Sequence, residues 1–552
     1  MLSRSKTGAF AVIAGLALLA TGCAGGGGGQ TSGGGPGGSI AIRGCEPENP
    51  LIPGDTGETC GGKVVDSLFT GLVEYNPDTA KPENAVAESI ETEDNKKFTV
   101  KLKQGWKFHD GTEVKAHNFV DAWNYTANSA NALAQGFWFE QFAGFEDVYT
   151  EDPDGEEGPK KAPKPAKDKL SGLEVVDDHT FTIELTAPFP VLPSKLGYTV
   201  FSPLPDSFFK DPEAFGKKPV GNGPFKFNSW TNHAKIVVDR NDQYGGAKKA
   251  KVKTIEFRMY KDDNSAYSDL ISDNLDFTEQ IPTSALTGDK WKSDLGERAI
   301  EGEQGVLQAI SFPMYDERFQ NKDLRHAISL AIDRKTITEK IFSGGRTPAT
   351  GWVSPVVEGY KPGACGKWCN FNAAEANALM DKAIAAGWKS GDELPMYYNG
   401  DADHKPWTDA LCAGLNQVLQ GKVKCTPKPF PTFAEFRTEV DDRKMDGIFR
   451  SGWQMDFPHI ENFLTPLYKT GAPSNDGEWS NKAFDAKVEE ADQEQDPAAS
   501  IAAYQEAEAM MAEEMPAVPC WYYGLQAGYS TKVTNVKVTP FGELDVYSID
   551  TK

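Results

Sequence analysis

Asp323-Leu324-Arg325-His326-Ala327-Ile328-Ser329-Leu330-Ala331-Ile332-Asp333-Arg334 places Leu324, Ile328, Ala331 and Ile332 at i, i+4, i+7 and i+8, the spacing of a helix with one buried face. The periodic residues continue to Ile341 and Gly344-Gly345 supplies a stop, so helix is predicted from Asp323 to Ile341. Ile501, Tyr504, Ala507, Met511 and Met515 form a second such face, and Asn118 to Tyr125 reads as a third helix. Other stretches keep a period of two. Lys97–Leu102 and Thr180–Leu185 alternate as half-buried strands do, Lys235–Val238 and Lys253–Arg258 continue a β-rich stretch from 202 to 299, and Ala517–Tyr523 and Val533–Val538 close the chain. Ser39–Arg43 reads as a short strand entering a Pro-rich loop, Glu46-Pro47-Glu48-Asn49-Pro50. Helices and strands intermixed in this way give an α/β or α+β class. Glu151–Lys169 is charged, rich in Pro and Gly and without large apolar residues, which predicts an exposed loop.

The first 23 residues read as a secretory signal. Arg4 and Lys6 provide the positive start, Ala9 to Ala20 the apolar core, and Leu19-Ala20-Thr21-Gly22-Cys23 small residues before a thiol. A dozen apolar residues are too few to span a bilayer. The end of this segment resembles the lipobox of bacterial lipoproteins, with Ala20 where that family usually has Leu; the resemblance implies cleavage before Cys23 and a lipid on its sulfur. An ordinary secretory signal with an incidental cysteine is the alternative. Residues 24 to 38 are mostly Gly, a composition that behaves as a flexible tether. Gly33, Gly35 and Gly38 match G-x-G-x-x-G, but neither a strand before nor a helix pattern after supports a nucleotide loop.

About 510 residues remain to fold, enough for two or three domains. The chain carries 57 basic and 80 acidic residues, a net charge of −23 that becomes −25 without Arg4 and Lys6, which argues against nucleic acid as a partner. Seven cysteines follow Cys23 in what is expected to be an oxidising compartment. The pairs Cys45–Cys60, Cys365–Cys369 and Cys412–Cys425 are proposed from sequence proximity, leaving Cys520 free; sequence alone does not settle the connectivity. A zinc site is the weaker alternative, since Cys365-x3-Cys369 has no second pair nearby and the seven histidines are never at ligand spacing from one another. No metal or cofactor is expected. H-E-x-x-H, G-x-S-x-G and G-x-x-x-x-G-K-[ST] are all absent, so no enzymatic activity is expected either, although dispersed catalytic residues would escape such a search.

Five strings occur in order: Leu68-Phe69-Thr70-Gly71-Leu72, Gly105-Trp106-Lys107-Phe108-His109-Asp110-Gly111, Pro219-Val220-Gly221-Asn222-Gly223-Pro224-Phe225, Arg240-Asn241-Asp242-Gln243-Tyr244, and Leu324-Arg325-His326-Ala327 with Ala331-Ile332-Asp333-Arg334. Together they resemble the extracellular oligopeptide- and dipeptide-binding proteins of bacterial ABC importers, most closely the actinobacterial lipoprotein type. The resemblance implies a periplasmic-binding-protein-like α/β fold, two lobes with an extra domain and a ligand cleft between the lobes. The expected organisation is signal 1–22, tether 23–38, domain I from 39–64, 203–303 and 519–552, domain II from 65–202, and domain III from 304–518. Gly221 and Gly223 are expected to serve a tight turn through positive φ, and His109 a turn rather than acid–base chemistry.

The same resemblance assigns ligand residues. Arg450-Ser451-Gly452-Trp453-Gln454-Met455-Asp456 is similar to the segment whose aspartate takes the peptide's α-ammonium, here Asp456. Gly452, Trp453 and Met455 would offer main-chain bonds and a pocket wall, and Arg450 could meet a carboxylate. Asp403-His404-Lys405 resembles a stretch with basic contacts, represented by His404. Phe433 stands where an aromatic pocket wall is common, Phe137 and Trp138 are candidate aromatics from the smaller lobe, and the Pro-rich loop near Asn49 to Ile52, with Asn49 and Leu51 as its candidate residues, resembles an extended segment facing the ligand backbone. The expected function is capture of oligopeptides by a monomer anchored through Cys23 at the extracellular face of the cell membrane, and delivery to the permease of an ABC importer. A signalling peptide receptor, or a carrier of nickel complexes, haem or sugars, are the alternatives.

Overall fold

A computed structural model describes residues 37–150 and 162–552. The signal, Cys23, nearly all of the tether and the first part of the expected 151–169 loop lie outside the described residues. Its remainder, 162–169, has no helix or strand and is almost entirely exposed.

One sheet of eleven strands runs through the molecule. From one edge the order is Val423–Phe430, Asp392–Asn399, Ile448–Gln454, Ala299–Ser311, Ala517–Tyr529, Phe277–Thr278, Ser39–Gly44, Thr254–Met259, Lys235–Arg240 and Phe225–Thr231, with Arg346–Pro348 attached to the fifth. Its two halves serve different cores. One half joins Ile40, Phe98, Trp123 and Phe181 in a core shared with a separate antiparallel sheet of Ala87–Thr92, Lys97–Leu102, Thr180–Glu184 and Leu173–Asp177. The other packs Leu307, Ile328, Trp352, Met396, Trp407 and Trp521 together.

Two strands of thirteen residues, Ala299–Ser311 and Ala517–Tyr529, connect the halves. They pair from Ala299 to Glu303 and again from Leu307 to Ser311, with a shift in register between. The expected divisions at 303/304 and 518/519 both fall inside these strands. The sequence-predicted strand Ala517–Tyr523 therefore extends six residues further, while Val533–Val538 shrinks to Val533–Thr534.

The predicted helix from Asp323 to Ile341 is two helices, Lys322–Ala331 and Arg334–Ile341. Asn321 caps the first, its Oδ1 accepting from the N–H of Asp323 at 2.9 Å, and Asp333 caps the second by accepting from Thr336 at 3.0 Å. An aspartate side chain that bonds nearby backbone favours a cap over a helix interior. The charged residues of this string are internal staples. Arg325 donates to the carbonyls of Phe319, Glu514 and Met515, and Arg334 to those of Ser329, Cys369 and Pro519.

The other four strings interlock around Asn222, which is wholly buried. Its Oδ1 accepts from the Thr70 N–H at 2.9 Å, its Nδ2 donates to the Thr70 carbonyl at 2.8 Å, and its own carbonyl accepts from Trp106 Nε1 at 3.2 Å. Asn241 donates to the Gly223 carbonyl at 3.0 Å, and the hydroxyls of Tyr244 and Thr70 meet at 3.1 Å. His109 accepts the Gly221 N–H on Nδ1 at 3.1 Å and points Nε2 at the Gly223 carbonyl, 3.2 Å away, so it is a neutral scaffold residue; burial pushes its pKa down to about 4. Gly221 and Gly223 are needed for a different reason from the one expected. Neither has positive φ. A Cβ at Gly221 would sit 1.9 Å from the Leu68 carbonyl oxygen and one at Gly223 2.5 Å from the Leu68 carbonyl carbon, so close backbone approach excludes a side chain. This knot fixes the C-terminal end of helix Thr59–Leu68, which carries Lys63 and Asp66 to the cavity described next.

The disulfides are Cys45–Cys60, Cys365–Cys369 and Cys412–Cys425, and Cys520 is free and buried.

Candidate functional site

A cavity of about 1180 Å³ lies between the two sheets' territories, with walls from the 39–76, 134–202, 277–311, 433–479 and 539–547 regions. Strand Ile448–Gln454 forms its floor. One side of that strand pairs with Val306–Ser311 along its length, but the other pairs with the 392–399 strand only at Ile448 and Phe449. Residues 450–454 therefore have one edge without a strand partner among the described residues, and it borders the cavity.

Asp456 follows this strand and lines the cavity. Its N–H donates to Asn462 Oδ1 at 2.9 Å, and Asn462 Nδ2 donates to its Oδ2 at 2.9 Å. The same Asn462 oxygen accepts from Trp453 Nε1 at 3.1 Å, so one buried amide orients both residues. Tyr198 also bonds the carboxylate. Burial pushes the Asp456 pKa up to about 7, against the pull of Asn462, Tyr198 and the more distant Lys195. No cation forms an ion pair with it among the described residues. A carboxylate enclosed with acceptor capacity to spare and no counter-charge is poised for a cationic ligand group.

Arg450, Gly452, Trp453, Met455, Phe433, Phe137, Trp138 and Asn49 also line the cavity. Arg450 donates Nε to Asn399 Oδ1 at 2.8 Å and lies 5.1 Å over the Phe433 ring; burial lowers its pKa and no carboxylate ion-pairs with it among the described residues. Trp138 stacks on Tyr198 at 4.3 Å and meets Phe457 edge-on at 6.1 Å. Asn49 Nδ2 donates to the Asp55 carbonyl at 3.1 Å, holding its loop against the rim.

Two expected ligand residues lie elsewhere. Leu51 is wholly buried in the first core, its N–H bonded to the Gly216 carbonyl at 3.1 Å. An apolar side chain in a Pro-bounded loop finds more surface to bury inward than toward a wet cleft. His404 precedes helix Lys405–Val418 and accepts from Trp407 Nε1 on Nδ1 at 3.2 Å. Burial, then the positive Arg450 and Arg346, lower its pKa well below the usual value, so it is neutral and supplies no basic contact. Neighbouring Lys405 is on the surface with Asp409.

The sequence reading missed Asn462, Tyr198, Lys195, Arg437 and an acidic group on the opposite wall. Arg437 is committed to Asp476 and Asp441, both at 2.7 Å. Across the cavity, Glu279 is bridged by Lys63 and by Arg43 at 3.4 Å, which hold its carboxylate below the usual range despite burial. No cluster of metal-binding side chains occurs among the described residues.

The family described as bacterial extracellular solute-binding proteins, family 5 Middle, matches residues 81–475. The oligopeptide-binding protein OppA of Bacillus subtilis (strain 168) is 25% identical over 488 residues, 86% of this chain and 85% of its own. The murein tripeptide binding protein MppA of Escherichia coli superposes with a TM-score of 0.80 at 22% identity, covering 94% of this chain and 98% of that one. Haemophilus influenzae OppA in complex with the peptide RPPGFSPFR gives 0.77 at 23% identity, over 93% and 98% of the two chains. The fold shared with these structures is two lobes and an extra domain around a ligand cleft.

Proposed function

Because the chain belongs to the bacterial extracellular solute-binding proteins of family 5, we propose that it captures oligopeptides in this cavity and delivers them to the permease of an ABC importer. The observation that carries the reading is Asp456, a cavity-wall carboxylate with no ion-pair partner among the described residues, held by Asn462 at the end of a strand whose edge is open to the cavity. The peptide's α-ammonium supplies the missing charge, and its main chain extends along residues 450–454 by strand addition, which tolerates varied side chains. Arg450 takes a carboxylate, while Trp453, Phe433, Phe137 and Trp138 form side-chain walls. Likeness to an oligopeptide-binding protein and to a peptide complex supports the same ligand class.

The lobes close around the ligand by bending where Ala299–Ser311 and Ala517–Tyr529 change register, between Glu303 and Leu307. The protein works as a monomer, held outside the membrane by lipid on Cys23, and leaves the peptide chemically intact. Relatives are binding proteins, which favours transport over catalysis.

Calorimetry with tetra-alanine tests the ligand role. Asp456→Ala is expected to weaken binding by about 2–5 kcal/mol, the usual cost of removing one partner from a buried charge pair. N-acetylation of the peptide should cost the wild type a similar amount and the variant little more. Unchanged affinity in Asp456→Ala would overturn the assignment. Deleting the neighbouring permease genes should abolish peptide uptake; a signalling receptor would keep its response.

A further inference from the structure

The two cores draw on different stretches of the chain, with one exchange in each direction. Among the described residues, Phe457 is the one member of the first core that comes from 304–518; it is 1% exposed and meets Trp138 edge-on at 6.1 Å. Its neighbours Met455 and Ile460 belong to the second core. In return, Ala80 is the one described residue of 65–202 that joins the second core. It is 1% exposed, on a turn whose Asp78, Thr79 and Lys81 all face solvent.

Each inserted side chain is held firmly by its own side. Around Phe457, the Met455 N–H donates to the Gly305 carbonyl at 2.8 Å, the Glu358 N–H to the Pro458 carbonyl at 3.1 Å and the Ile460 N–H to the Glu358 carbonyl at 2.9 Å, while Asn462 holds Asp456. These bonds tie the segment to the second core, so the ring cannot follow the first core if the two part. Ala80 has a left-handed φ of 56° in a turn closed by Asn76, whose carbonyl accepts the Ala80 N–H at 2.8 Å and whose Oδ1 accepts from Asp78 and Thr79. Parting the cores would bare a phenyl ring and empty the place of the Ala80 methyl, and both lost burial and lost packing contacts cost free energy. The same two regions also meet at an exposed polar contact, Asn95 Nδ2 donating to the Gln495 carbonyl at 3.3 Å, but water competes for such a bond and its net contribution is small.

We propose that the two cores mark the two lobes and that Phe457 and Ala80 form a reciprocal closure latch, the apolar contacts by which the lobes hold one another once a peptide is seated. This rests on the peptide-binding reading above and deepens it. Phe457 directly follows Asp456, so the segment that takes the ammonium also carries the ring that grips the opposite lobe. Ala80 lies off the described cavity walls and acts on the ligand through closure alone.

The test joins calorimetry on the full chain, with tetra-alanine and its N-acetylated form, to electron–electron distance measurements between spin labels at Glu91→Cys and Glu490→Cys, exposed positions in the two regions that Asn95 and Gln495 bring together. In the wild type, saturating tetra-alanine should collapse the distances to one short population. Phe457→Ala and Ala80→Lys should each weaken tetra-alanine tenfold or more and keep a long-distance population at saturation, with Phe457→Leu in between. N-acetylation should cost every variant the same factor as the wild type, because Asn462 holds Asp456 from its own side. Thermal melts establish that each variant is folded; should Phe457→Ala fail to fold, Phe457→Leu and Ala80→Lys decide. Variants that bind and close like the wild type overturn the latch and leave the peptide-binding reading standing. A penalty for N-acetylation that disappears in Phe457→Ala would mean that the ring acts by placing Asp456, and also overturns the latch. If the wild type binds neither peptide, both readings fall.

Discussion

The Asn222 knot and the cavity wall are both dense in buried polar groups, but they differ in how those groups are satisfied. In the knot every polar atom of the Asn222 side chain has a protein partner at 2.8–2.9 Å, and His109 is neutral between two backbone groups. At the wall, Asp456 is bonded by the neutral donors Asn462 and Tyr198 and forms no ion pair among the described residues. A closed set of hydrogen bonds holds a fold together; enclosed charge left uncompensated costs free energy until something from outside arrives. Several of the sequence strings that carry the family resemblance thus turn out to be framework, and the proposed ammonium partner sits where electrostatics are incomplete.

If that contrast holds, damage to the knot should lower stability and damage to the wall should lower affinity. Asn222→Ala leaves the Thr70 N–H and carbonyl buried without partners, which should cost about 3 kcal/mol of folding stability at roughly 1–3 kcal/mol per orphaned group. Urea denaturation measures this. Peptide affinity per folded molecule, measured below the unfolding transition, should change little. A large affinity loss without a stability loss would erase the distinction.

Asn462→Ala attacks the wall through its support. The amide orients Asp456 and Trp453 together, so the variant should lose about 1–2 kcal/mol of peptide affinity, on the order of one charge-assisted hydrogen bond, with a smaller effect on stability. Calorimetry against the wild type decides. Equal loss on tetra-alanine and on its N-acetylated form would show that Asn462 does not act through the ammonium partner.

Why did the sequence point to Asp456, now found on the cavity wall, and not to Asn462 or Tyr198 beside it? Asp456 ends a contiguous string, Arg450 to Asp456, whose first five residues lie on strand Ile448–Gln454 and whose last two directly follow it. Tyr198 reaches Asp456 from a segment some 260 residues earlier in the chain, so only tertiary packing brings the two together. The strand Ala299–Ser311 was hidden for a related reason. Gly302-Glu303-Gln304-Gly305 has the composition of a turn, and it is extended because neighbours on both sides hold its ends. Phe433, Phe137 and Trp138 were legible as aromatics near a cleft, whereas Leu51 and His404 show that position in a family string does not fix which way a side chain turns.

The pH dependence follows from the raised pKa of Asp456. An ammonium binds its carboxylate form, so peptide affinity should fall as pH drops below about 7, approaching tenfold per unit while the peptide amine stays charged. The empty protein should respond in the opposite sense. With a folded pKa near 7 and an unfolded value near 4, the folded state holds the extra proton between them; the resulting stabilisation is full below about 4 and is lost as pH rises through 7. Glu461 and Asp492, raised by burial to about 8 and about 6, titrate in the same region near Lys195, so the Asp456 contribution is the difference between wild type and Asp456→Asn. Identical pH profiles for the two proteins would remove Asp456 from the binding chemistry.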